Sequence, residues 1–346
     1  MPPSVMPTSR QGDGRPLPTA VSAVGLRKSY GDKLVLDGID LHIPAGSVFA
    51  LLGPNGAGKT TVVKILSTLI TADAGDLHVG GHNLAADPQA VRAAIGVTGQ
   101  FSAVDGLITG EENMLLMADL HHLPKSEGRR VTAELLERFD LAEAAKKPAS
   151  TYSGGMKRRL DLAMTLVGTP RIIFLDEPTT GLDPRSRHNM WGIIRGLVSD
   201  GVTVLLTTQY LDEADELADR IAVLNGGRIA AEGTAEELKR LVPGGHIRLR
   251  FTDPVAYRSA ADTLREATLP RAPGSARPGG APGDESLSLS IPSDGSQREL
   301  RSVLDWLDSV GIEADELTVH TPDLDDVFFA LTGPPHIPDQ PTEKLR

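Results

Sequence analysis

The sequence predicts an α/β protein of two domains: a first domain with a phosphate-binding loop and an all-helical insertion, and a second, small α+β domain. Three observations support this prediction. Short apolar runs bounded by Gly, Pro, Asn or Asp alternate with helical patterns from residue 21 to about residue 242, which is typical of a buried and largely parallel sheet. A glycine-rich loop follows one of these runs directly. The composition changes at residue 243, where Pro243, Gly244 and Gly245 interrupt the pattern.

Composition excludes several classes of protein. The content of 40% hydrophobic and 23% charged residues in a chain of 346 residues excludes wholesale disorder. A formal net charge of −11 argues against nucleic acid as a partner. The chain has no cysteine, which excludes disulfides, iron–sulfur clusters and cysteine nucleophiles. No apolar run approaches the roughly 18 residues of a spanning helix, so we expect no transmembrane segment.

The first domain is predicted to span residues 21–242. Residues 1–20 are rich in Pro, Ser, Gly and Arg without the apolar run of a secretory signal, so they are expected to form a disordered tail. The clearest strand patterns lie at residues 48–52, 172–175, 202–207 and 221–224. Residues 101–169 favour helices instead, at 110–121, 131–139 and 154–167. This segment is therefore predicted to be a helical subdomain inserted into the sheet domain.

The C-terminal domain is predicted to span residues 243–333. Strand patterns at 246–251, 286–291 and 316–320 alternate with helical patterns at 254–269 and 297–310, which predicts a small α+β unit. Residues 269–284 are rich in Pro, Gly, Ala and Arg and indicate a flexible loop within this unit. Residues 334–346 are expected to form a second disordered tail.

A phosphate-binding motif follows the first strand pattern. Gly53, Gly58, Lys59 and Thr60 match G-x-x-x-x-G-K-[ST], and a helical pattern follows. The glycines let backbone N–H groups and the helix N-terminus face a phosphate chain, while Lys59 neutralises charge and Thr60 is placed to bind Mg²⁺. The alternative, a glycine-rich turn with a surface lysine, is disfavoured by the flanking strand and helix. The nucleotide-binding residues expected here are Gly53, Pro54, Asn55, Gly56, Ala57, Gly58, Lys59, Thr60 and Thr61.

Two carboxylates, Asp176 and Glu177, follow the strand pattern at residues 172–175. Ligands of open α/β sheets bind at the carboxyl ends of parallel strands. Asp176 can then hold Mg²⁺, and Glu177 can accept a proton from an attacking water. Taken alone, the pattern favours a solvated strand end; together with the phosphate-binding loop it indicates a catalytic site.

A second helix end suited to phosphate begins at Ser153. Ser153 is a favourable N-cap, and Gly154 and Gly155 after it let an anion approach the free N–H groups. An ordinary capped helix is the alternative. Because one nucleotide has no evident need of two such ends, we expect this one to meet a phosphate held by a second copy of the protein.

These three motifs, in their order along the chain, resemble those of the ATP-binding subunits of ABC transporters; the resemblance covers residues 21 to about 240. The resemblance implies a P-loop ABC-type nucleotide-binding domain, the cofactors ATP and Mg²⁺, and a homodimer whose subunits pair head to tail. The loop at Gly53 resembles Walker A, and the strand ending at Asp176 resembles Walker B. The signature sequence, which would act on the partner's nucleotide, is represented by Ser153, Gly154, Gly155 and Met156, with Met156 where glutamine is commonest.

Four further positions can be compared with the family. The resemblance implies that Tyr30 stacks on adenine, with a core tyrosine as the alternative, that Gln100 is the Q-loop residue near Mg²⁺, and that Asp183 is the D-loop residue between subunits. Gln209 stands where the family usually has histidine; its amide can donate a hydrogen bond to a γ-phosphate but cannot carry a proton's charge. The catalytic residues expected are Glu177 and Gln209. The magnesium ligands expected are Thr60, Gln100 and Asp176.

Segments 96–101, 208–215 and 324–328 narrow the resemblance to drug exporters of the daunorubicin-resistance type. This implies an ATPase that powers efflux of a hydrophobic drug or antibiotic through a separately encoded transmembrane permease. It also implies a cytoplasmic location, peripheral on the inner face of the cell membrane. The alternative is a non-transport ABC ATPase of translation or DNA repair, which the single ATPase domain and the modest helical insertion disfavour. A kinase with the same phosphate-binding loop is disfavoured by the signature segment.

Overall fold

The computed structural model describes residues 18–99, 102–242, 245–266, 287–293, 296–320 and 322–332. The chain divides into two compact units between Ala235 and Glu236. Every helix in the described ranges falls short of the length or the hydrophobicity that a membrane span requires.

The described part of the first unit contains two sheets. Its strands are β1 (Thr19–Tyr30), β2 (Lys33–Pro44), β3 (Val48–Leu52), β4 (Ala74–Val79), β5 (His82–Asn83), β6 (Ile95–Thr98), β7 (Ile172–Asp176), β8 (Thr203–Thr208), β9 (Arg220–Asn225) and β10 (Arg228–Gly233). One sheet is antiparallel with the order β2-β1-β4-β5, and the other has the order β10-β9-β3-β8-β7-β6. The second sheet is parallel except for β10, which pairs antiparallel with β9. Its five parallel strands therefore present their carboxyl ends at one edge.

The helices of the first unit connect and cover these sheets. They are α1 (Lys59–Leu66), α2 (Pro88–Ala94), α3 (Gly110–Leu120), α4 (Lys125–Arg138), α5 (Gly154–Leu166), α6 (Pro184–Ser199) and α7 (Leu211–Leu217), followed by α8 (Ala235–Lys239) at the division between the units. One apolar cluster joins the two sheets and α1; it includes Leu41 of β2, Phe49 of β3, Phe174 of β7 and Ile65 of α1. The helix that follows the glycine-rich loop is thus anchored by packing on both sheets.

Helices α3, α4 and α5 form the helical part of the unit. Thr109 begins α3 with a capping box, in which its hydroxyl accepts a hydrogen bond from the backbone N–H of Glu112 and the Glu112 carboxylate accepts one from the N–H of Thr109. Before α5, the hydroxyl of buried Tyr152 donates to the carbonyl of Ala144 at 2.7 Å. The capping box fixes the start of α3, and the hydrogen bond of Tyr152 holds the chain directly before Ser153, where the predicted signature sequence begins.

The described part of the second unit is a three-stranded antiparallel sheet covered by helices. Its further elements are β11 (His246–Phe251), α9 (Pro254–Glu266), β12 (Leu287–Pro292), α10 (Gln297–Val310), β13 (Glu316–His320) and α11 (Leu324–Thr332). The strand order is β12-β11-β13. Ile247, Leu249 and Phe251 alternate along β11 and are buried together with Trp306 of α10, as expected of a strand with one covered face.

Two predicted boundaries were wrong. The tail predicted for residues 1–20 is too long, because β1 begins at Thr19, which pairs with Pro44, and Ala20 is buried. The units divide after Ala235, the first residue of α8, whereas the sequence placed the boundary at Pro243, because the composition changes only after this short helix. Gln100, the loop predicted at 269–284 and the tail predicted at 334–346 lie outside the described residues.

One helix also begins earlier than predicted. The sequence placed the second helix of the insertion at residues 131–139, whereas α4 begins at Lys125. Its first turns are polar and mostly exposed, so they carry no apolar periodicity from which a helix could be inferred.

We expect Leu249→Ala to destabilise the second unit by about 2–5 kcal/mol, because it leaves a cavity at a fully buried site. Trp191 in the first unit and Trp306 in the second are the two tryptophans of the chain, so Trp191→Phe or Trp306→Phe leaves a single fluorescent reporter. The urea midpoint reported by Trp306 should fall, and that reported by Trp191 should change less. Equal shifts of both midpoints would contradict two units with separate cores.

Candidate functional site

The glycine-rich loop runs from the end of β3 to the start of α1, and two close approaches require its glycines. A Cβ at Gly53 would lie 2.4 Å from the carbonyl oxygen of Leu224, and a Cβ at Gly58 would lie 2.6 Å from Cδ2 of Leu36. Gly58 also has a φ of 112°, which other residues rarely adopt. The loop is therefore held against β9 and β2, directly ahead of the free N–H groups of α1.

Lys59 is buried at the first position of α1, with 5% of its surface exposed. Its Nζ donates hydrogen bonds to the carbonyls of Gly53 (2.7 Å) and Pro54 (3.2 Å) and lies 3.8 Å from Oε1 of Glu177. Burial lowers the pKa of Lys59, and the carboxylates of Glu177 and Asp176 act in the opposite direction. The amine is thus fixed inside the loop, where it can meet an anionic phosphate.

Asp176 ends β7 and is also buried. Its Oδ1 accepts a hydrogen bond from the hydroxyl of Thr207 on the adjacent strand and another, at 3.3 Å, from the hydroxyl of Thr60. The first contact follows from the strand register, which pairs Asp176 with Thr207. Two of the three predicted magnesium ligands, Thr60 and Asp176, are therefore in direct contact.

Glu177 leaves the strand with a left-handed backbone, φ 49°. Its N–H donates to both the carbonyl and the hydroxyl of Thr207, each at 3.1 Å. Its Oε2 accepts a hydrogen bond from the Thr180 hydroxyl at 3.2 Å, and the side chain is 10% exposed. Such a backbone costs about 1–3 kcal/mol for a residue other than glycine. These contacts offset that cost and direct the carboxylate towards Lys59.

The end of β8 adjoins the same loop. The N–H of Gly53 donates to the carbonyl of Thr208 at 3.3 Å, so Gln209, the next residue, follows directly on a contact with the loop and is half-buried. After it, the N–H of Tyr210 donates to the Thr208 hydroxyl at 2.9 Å, and the guanidinium of Arg187 lies over the Tyr210 ring. The predicted catalytic pair, Glu177 and Gln209, thus follows two neighbouring strands of the sheet.

The predicted signature sequence lies at the start of α5. Ser153 caps α5 by accepting a hydrogen bond from the N–H of Met156 at 3.2 Å, and Ser153 and Gly154 are exposed. Gly155 packs on α6: a Cβ there would lie 2.7 Å from the hydroxyl of Ser186. Asp183 caps α6 through Ser186, whose hydrogen bonds lower the pKa of Asp183. The signature and the predicted D-loop residue are therefore packed together by their two helices.

Tyr30 is the predicted site residue that the described structure keeps apart from this cluster. Tyr30 ends β1 with half of its surface exposed, and Nζ of Lys28 lies 5.6 Å from the ring centroid. It belongs to the hairpin whose second strand contributes Leu36 to the contact with Gly58. Gln100 lies outside the described residues.

Comparison with known proteins decides the family. The model of the ABC transporter family matches residues 36–180. A daunorubicin resistance ATP-binding protein of Streptomyces coeruleorubidus is 47% identical over 91% of this chain and 96% of its own length. The daunorubicin/doxorubicin resistance ATP-binding protein of Streptomyces peucetius is 44% identical over 94% of this chain and 96% of its own length. The chain belongs to the ABC transporter ATP-binding family.

The fold agrees with this membership. A solved ATP-binding subunit of an ABC transporter matches with a TM-score of 0.58 and 28% identity, covering 64% of this chain and 93% of the solved one. The predicted P-loop ABC fold is confirmed, and the chain is an ABC ATPase. The two resistance proteins match over more than nine-tenths of the chain, so similarity to them continues beyond the ATPase fold.

Sequence reasoning missed three residues of this ABC ATPase that hold the site together. Thr207 donates to the carboxylate of Asp176 and accepts from the backbone N–H of Glu177. Arg158 of α5 is buried against the backbone of Asp176 and Glu177, and Glu213 of α7 is fully buried beside Trp191. The polar ending of the predicted strand at 202–207 was a signal for Thr207. Four of the acceptors of Arg158 are backbone carbonyls, which no sequence pattern reveals.

Glu213 gives this ABC ATPase a testable dependence on pH. Its Oε1 lies 3.4 Å from Nε1 of Trp191. Burial raises the pKa of Glu213 above 4.5, although the hydroxyls of Thr208 and Thr179 and the Trp191 indole oppose the shift. The folded chain therefore binds this proton more tightly than the unfolded chain. That contribution to stability is complete below pH 4.5 and declines as the pH rises towards the folded pKa.

We expect Glu213→Gln to remove the loss of stability with rising pH, while its amide oxygen still accepts a hydrogen bond from Trp191. The thermal midpoint of the variant, minus that of the parent, should rise between pH 4.5 and pH 7.5, by at least about 2 °C for each kcal/mol relieved. Glu216→Gln is the matched control, because Glu216 lies on the same helix with half of its side chain exposed. A flat difference for Glu213→Gln would show that its ionisation does not affect folding.

Proposed function

We propose that this chain powers efflux of a hydrophobic drug or antibiotic by hydrolysing Mg·ATP, as a homodimer beneath a separately encoded permease on the cytoplasmic face of the membrane. The observation that carries the ATPase part is the convergence of Lys59, Asp176 and Glu177 at the ends of β3 and β7. The observation that supports drug export is the similarity to two drug-resistance proteins, which extends over both units.

The phosphate chain would lie along the loop at Gly53 to Thr60. The N–H groups at the start of α1 would bind the phosphate oxygens, and Nζ of Lys59 would meet the outer phosphates from within the loop. Tyr30, exposed on the adjoining hairpin, would offer its ring to adenine.

The oxygen donors at the strand end fit Mg²⁺. The Thr60 hydroxyl and the Asp176 carboxylate lie 3.3 Å apart, and no cluster of three or more acidic or histidine side chains suited to a metal is found within the described ranges. A site with two protein oxygens is what Mg²⁺ takes when phosphates and water complete its shell. Thr60 and Asp176 would hold the ion, which would neutralise charge on the phosphates.

Glu177 would accept the proton of the attacking water. Its carboxylate is held by Thr180 and directed towards Lys59 by the left-handed backbone, so it faces the place where the phosphate chain ends. Gln209, at the end of β8, would orient the γ-phosphate through hydrogen bonds of its amide, without itself titrating.

The exposed end of α5 would complete a second subunit's site. Ser153 and Gly154 are exposed at the start of a 13-residue helix, where its free N–H groups and the helix dipole would favour a γ-phosphate. Two copies related head to tail would enclose two nucleotides, with Asp183 between the subunits. The described residues of the chain offer no membrane span, and the pathway for the drug is therefore assigned to the permease.

Glu177→Gln tests the hydrolytic role. Turnover should fall by about 10²–10⁴-fold, because an amide cannot serve as a general base, while Mg·ATP binding persists and ATP-bound dimers accumulate in size-exclusion chromatography. Lys59→Ala is the contrasting control and should lose nucleotide affinity itself. Near-parental turnover of Glu177→Gln would exclude Glu177 as the base.

A reconstituted efflux assay tests the transport role. Cells that express this chain with the permease encoded beside it should export daunorubicin, whereas either protein alone, or the permease with Glu177→Gln, should not. Export of a different compound class by the same pair would change the cargo but keep the transport role. Co-fractionation of the chain with ribosomes or DNA, and never with a membrane protein, would favour the non-transport alternative.

A further inference from the structure

Helix α5 contains a buried ion pair beyond its exposed N-terminus. Arg158 and Asp161 are 9% and 4% exposed, and Nη1 of Arg158 lies 3.4 Å from Oδ2 of Asp161. Burial lowers the pKa of Arg158 and raises that of Asp161, and each charge opposes the shift of the other. Because a buried ion pair adds little net stability over apolar packing, its presence here points to a role in the geometry of the site.

The guanidinium of Arg158 reaches the strand end that carries the acidic residues. It donates to the carbonyls of three consecutive residues: Asp176 at 3.0 Å, Glu177 at 3.3 Å and Pro178 at 2.9 Å. The middle residue is the one with the left-handed backbone. A planar guanidinium holds its five donors in a fixed fork, so these bonds restrict the turn that aims the Glu177 side chain.

The same pair holds the chain on both sides of positions 100 and 101. Nη1 of Arg158 donates to the carbonyl of Gly99 at 2.8 Å, and Oδ1 of Asp161 accepts a hydrogen bond from the N–H of Ala103 at 3.1 Å. One turn further along α5, the hydroxyl of Thr165 meets that of Thr98 at 3.1 Å. One helix is therefore tied to the strand end at Glu177 and to both flanks of Gln100.

We propose that Arg158 and Asp161 are positioning residues for ATP hydrolysis, which fix the helix that begins at Ser153 to the backbone of Glu177 and to both flanks of Gln100. The proposal rests on the assignment of Glu177 as the proton acceptor. A displacement of α5 reaches the Glu177 backbone through direct hydrogen bonds. The pair thus links the helix end offered to a second subunit's nucleotide with the chain's own hydrolytic residue.

The test is a double-mutant cycle on the full chain: Arg158→Gln, Asp161→Asn and the double variant. Each protein is measured for kcat of ATP hydrolysis, Kd of Mg·ATP and thermal midpoint Tm. Each single variant should lose about tenfold to hundredfold in kcat, as expected when a reacting group is displaced, with Kd changed by less than about threefold. Parental kcat in both single variants, or loss of ATP binding in parallel with kcat, would overturn the proposal.

The double variant separates positioning from stability. Asp161→Asn leaves the buried Arg158 charge without its partner, whereas the double variant removes both charges. Its Tm should therefore lie above that of Asp161→Asn, while kcat stays low because the carbonyls still lack the fork. Recovery of kcat together with Tm would overturn the proposal, since the pair would then act only on stability.

Arg158→Lys tests the positioning role of Arg158 if the neutral variants fail to fold. It keeps the charge, but its single nitrogen cannot bond the carbonyls of Gly99, Glu177 and Pro178 together. We expect a near-parental Tm with a kcat lowered about tenfold or more. Parental kcat in Arg158→Lys would show that charge alone suffices, and the positioning role would be rejected.

The neighbouring pair on the same helix is the matched control. Nη1 of Arg159 donates to the carbonyls of Phe139 and Asp140 and lies 2.9 Å from Oδ2 of Asp140, which is almost fully exposed. Arg159→Gln, Asp140→Asn and their double variant should therefore leave kcat within about twofold, because the partner carboxylate lies in solvent and none of the hydrogen bonds of Arg159 reaches residues 176–178. A kcat loss equal to that of the Arg158 cycle would show that any arginine of α5 has this effect.

Glu177→Gln, measured in parallel, distinguishes failure of the proposed base, Glu177, from failure of the positioning role of Arg158 and Asp161. If Glu177→Gln retains turnover, the assignment of the base fails whatever the Arg158 cycle shows. If Glu177→Gln loses turnover and the Arg158 and Asp161 variants keep it, the positioning role alone fails.

Discussion

The parallel register of β3, β8 and β7 is the constraint on which the rest of this structure depends. It pairs Leu52 with Thr208 and Asp176 with Thr207, so that the loop after β3 and the carboxylates after β7 emerge at the same level of the sheet. A shift of one residue would turn Asp176 to the opposite face, because side chains alternate along a strand. The contacts from Asp176 to Thr207 and Thr60 exist only in this register, and the continuous burial of the three strands, whose central residues are apolar, keeps them in it.

The same edge of the sheet concentrates charge and strain that folding alone would not favour. Lys59 is buried with a lowered pKa, and Glu177 adopts a left-handed backbone. Each is held by several partners from other elements, which is how an unfavourable local conformation persists in a folded protein. The apolar cluster that joins both sheets and α1 supplies the compensating stability. The residues that stabilise the unit and the residues proposed to react are thus separated in space. The apolar interior stabilises the fold, and the strand ends carry the charged groups.

The sequence predicts which residues gather at this edge of the sheet better than it predicts the architecture around them. The loop from Gly53 to Thr60 and the strand before Asp176 are local motifs, and each residue type is dictated by its own immediate role. The antiparallel sheet of β1, β2 and β4 is harder to infer, because β1 pairs with strands on both sides through several register shifts, which blur the alternation that marks a strand. The sequence assigns the start of β1 to a tail for a related reason. The segment before it is rich in Pro, Ser, Gly and Arg, and only pairing with Pro44 makes Thr19 part of a sheet. Arg158 escapes prediction altogether, since four of its acceptors are backbone carbonyls.

Helix α5 contributes to two proposed sites: its start would meet the nucleotide of a second subunit, and its Arg158 holds the backbone of Glu177. Its N-terminal turn begins with exposed Ser153 and Gly154 and ends at half-buried Met156; Arg158 lies two residues beyond Met156, about 3 Å along the helix axis. Over so short a distance a helix behaves as a rigid rod, because each backbone bond is shared with the next turn. An anion that draws the first turn outward must move Arg158 with it, or break hydrogen bonds to buried carbonyls that have few other donors. In the proposed head-to-tail dimer, this would connect the nucleotide of one subunit to Glu177, the proposed proton acceptor, of the other through a single turn of helix.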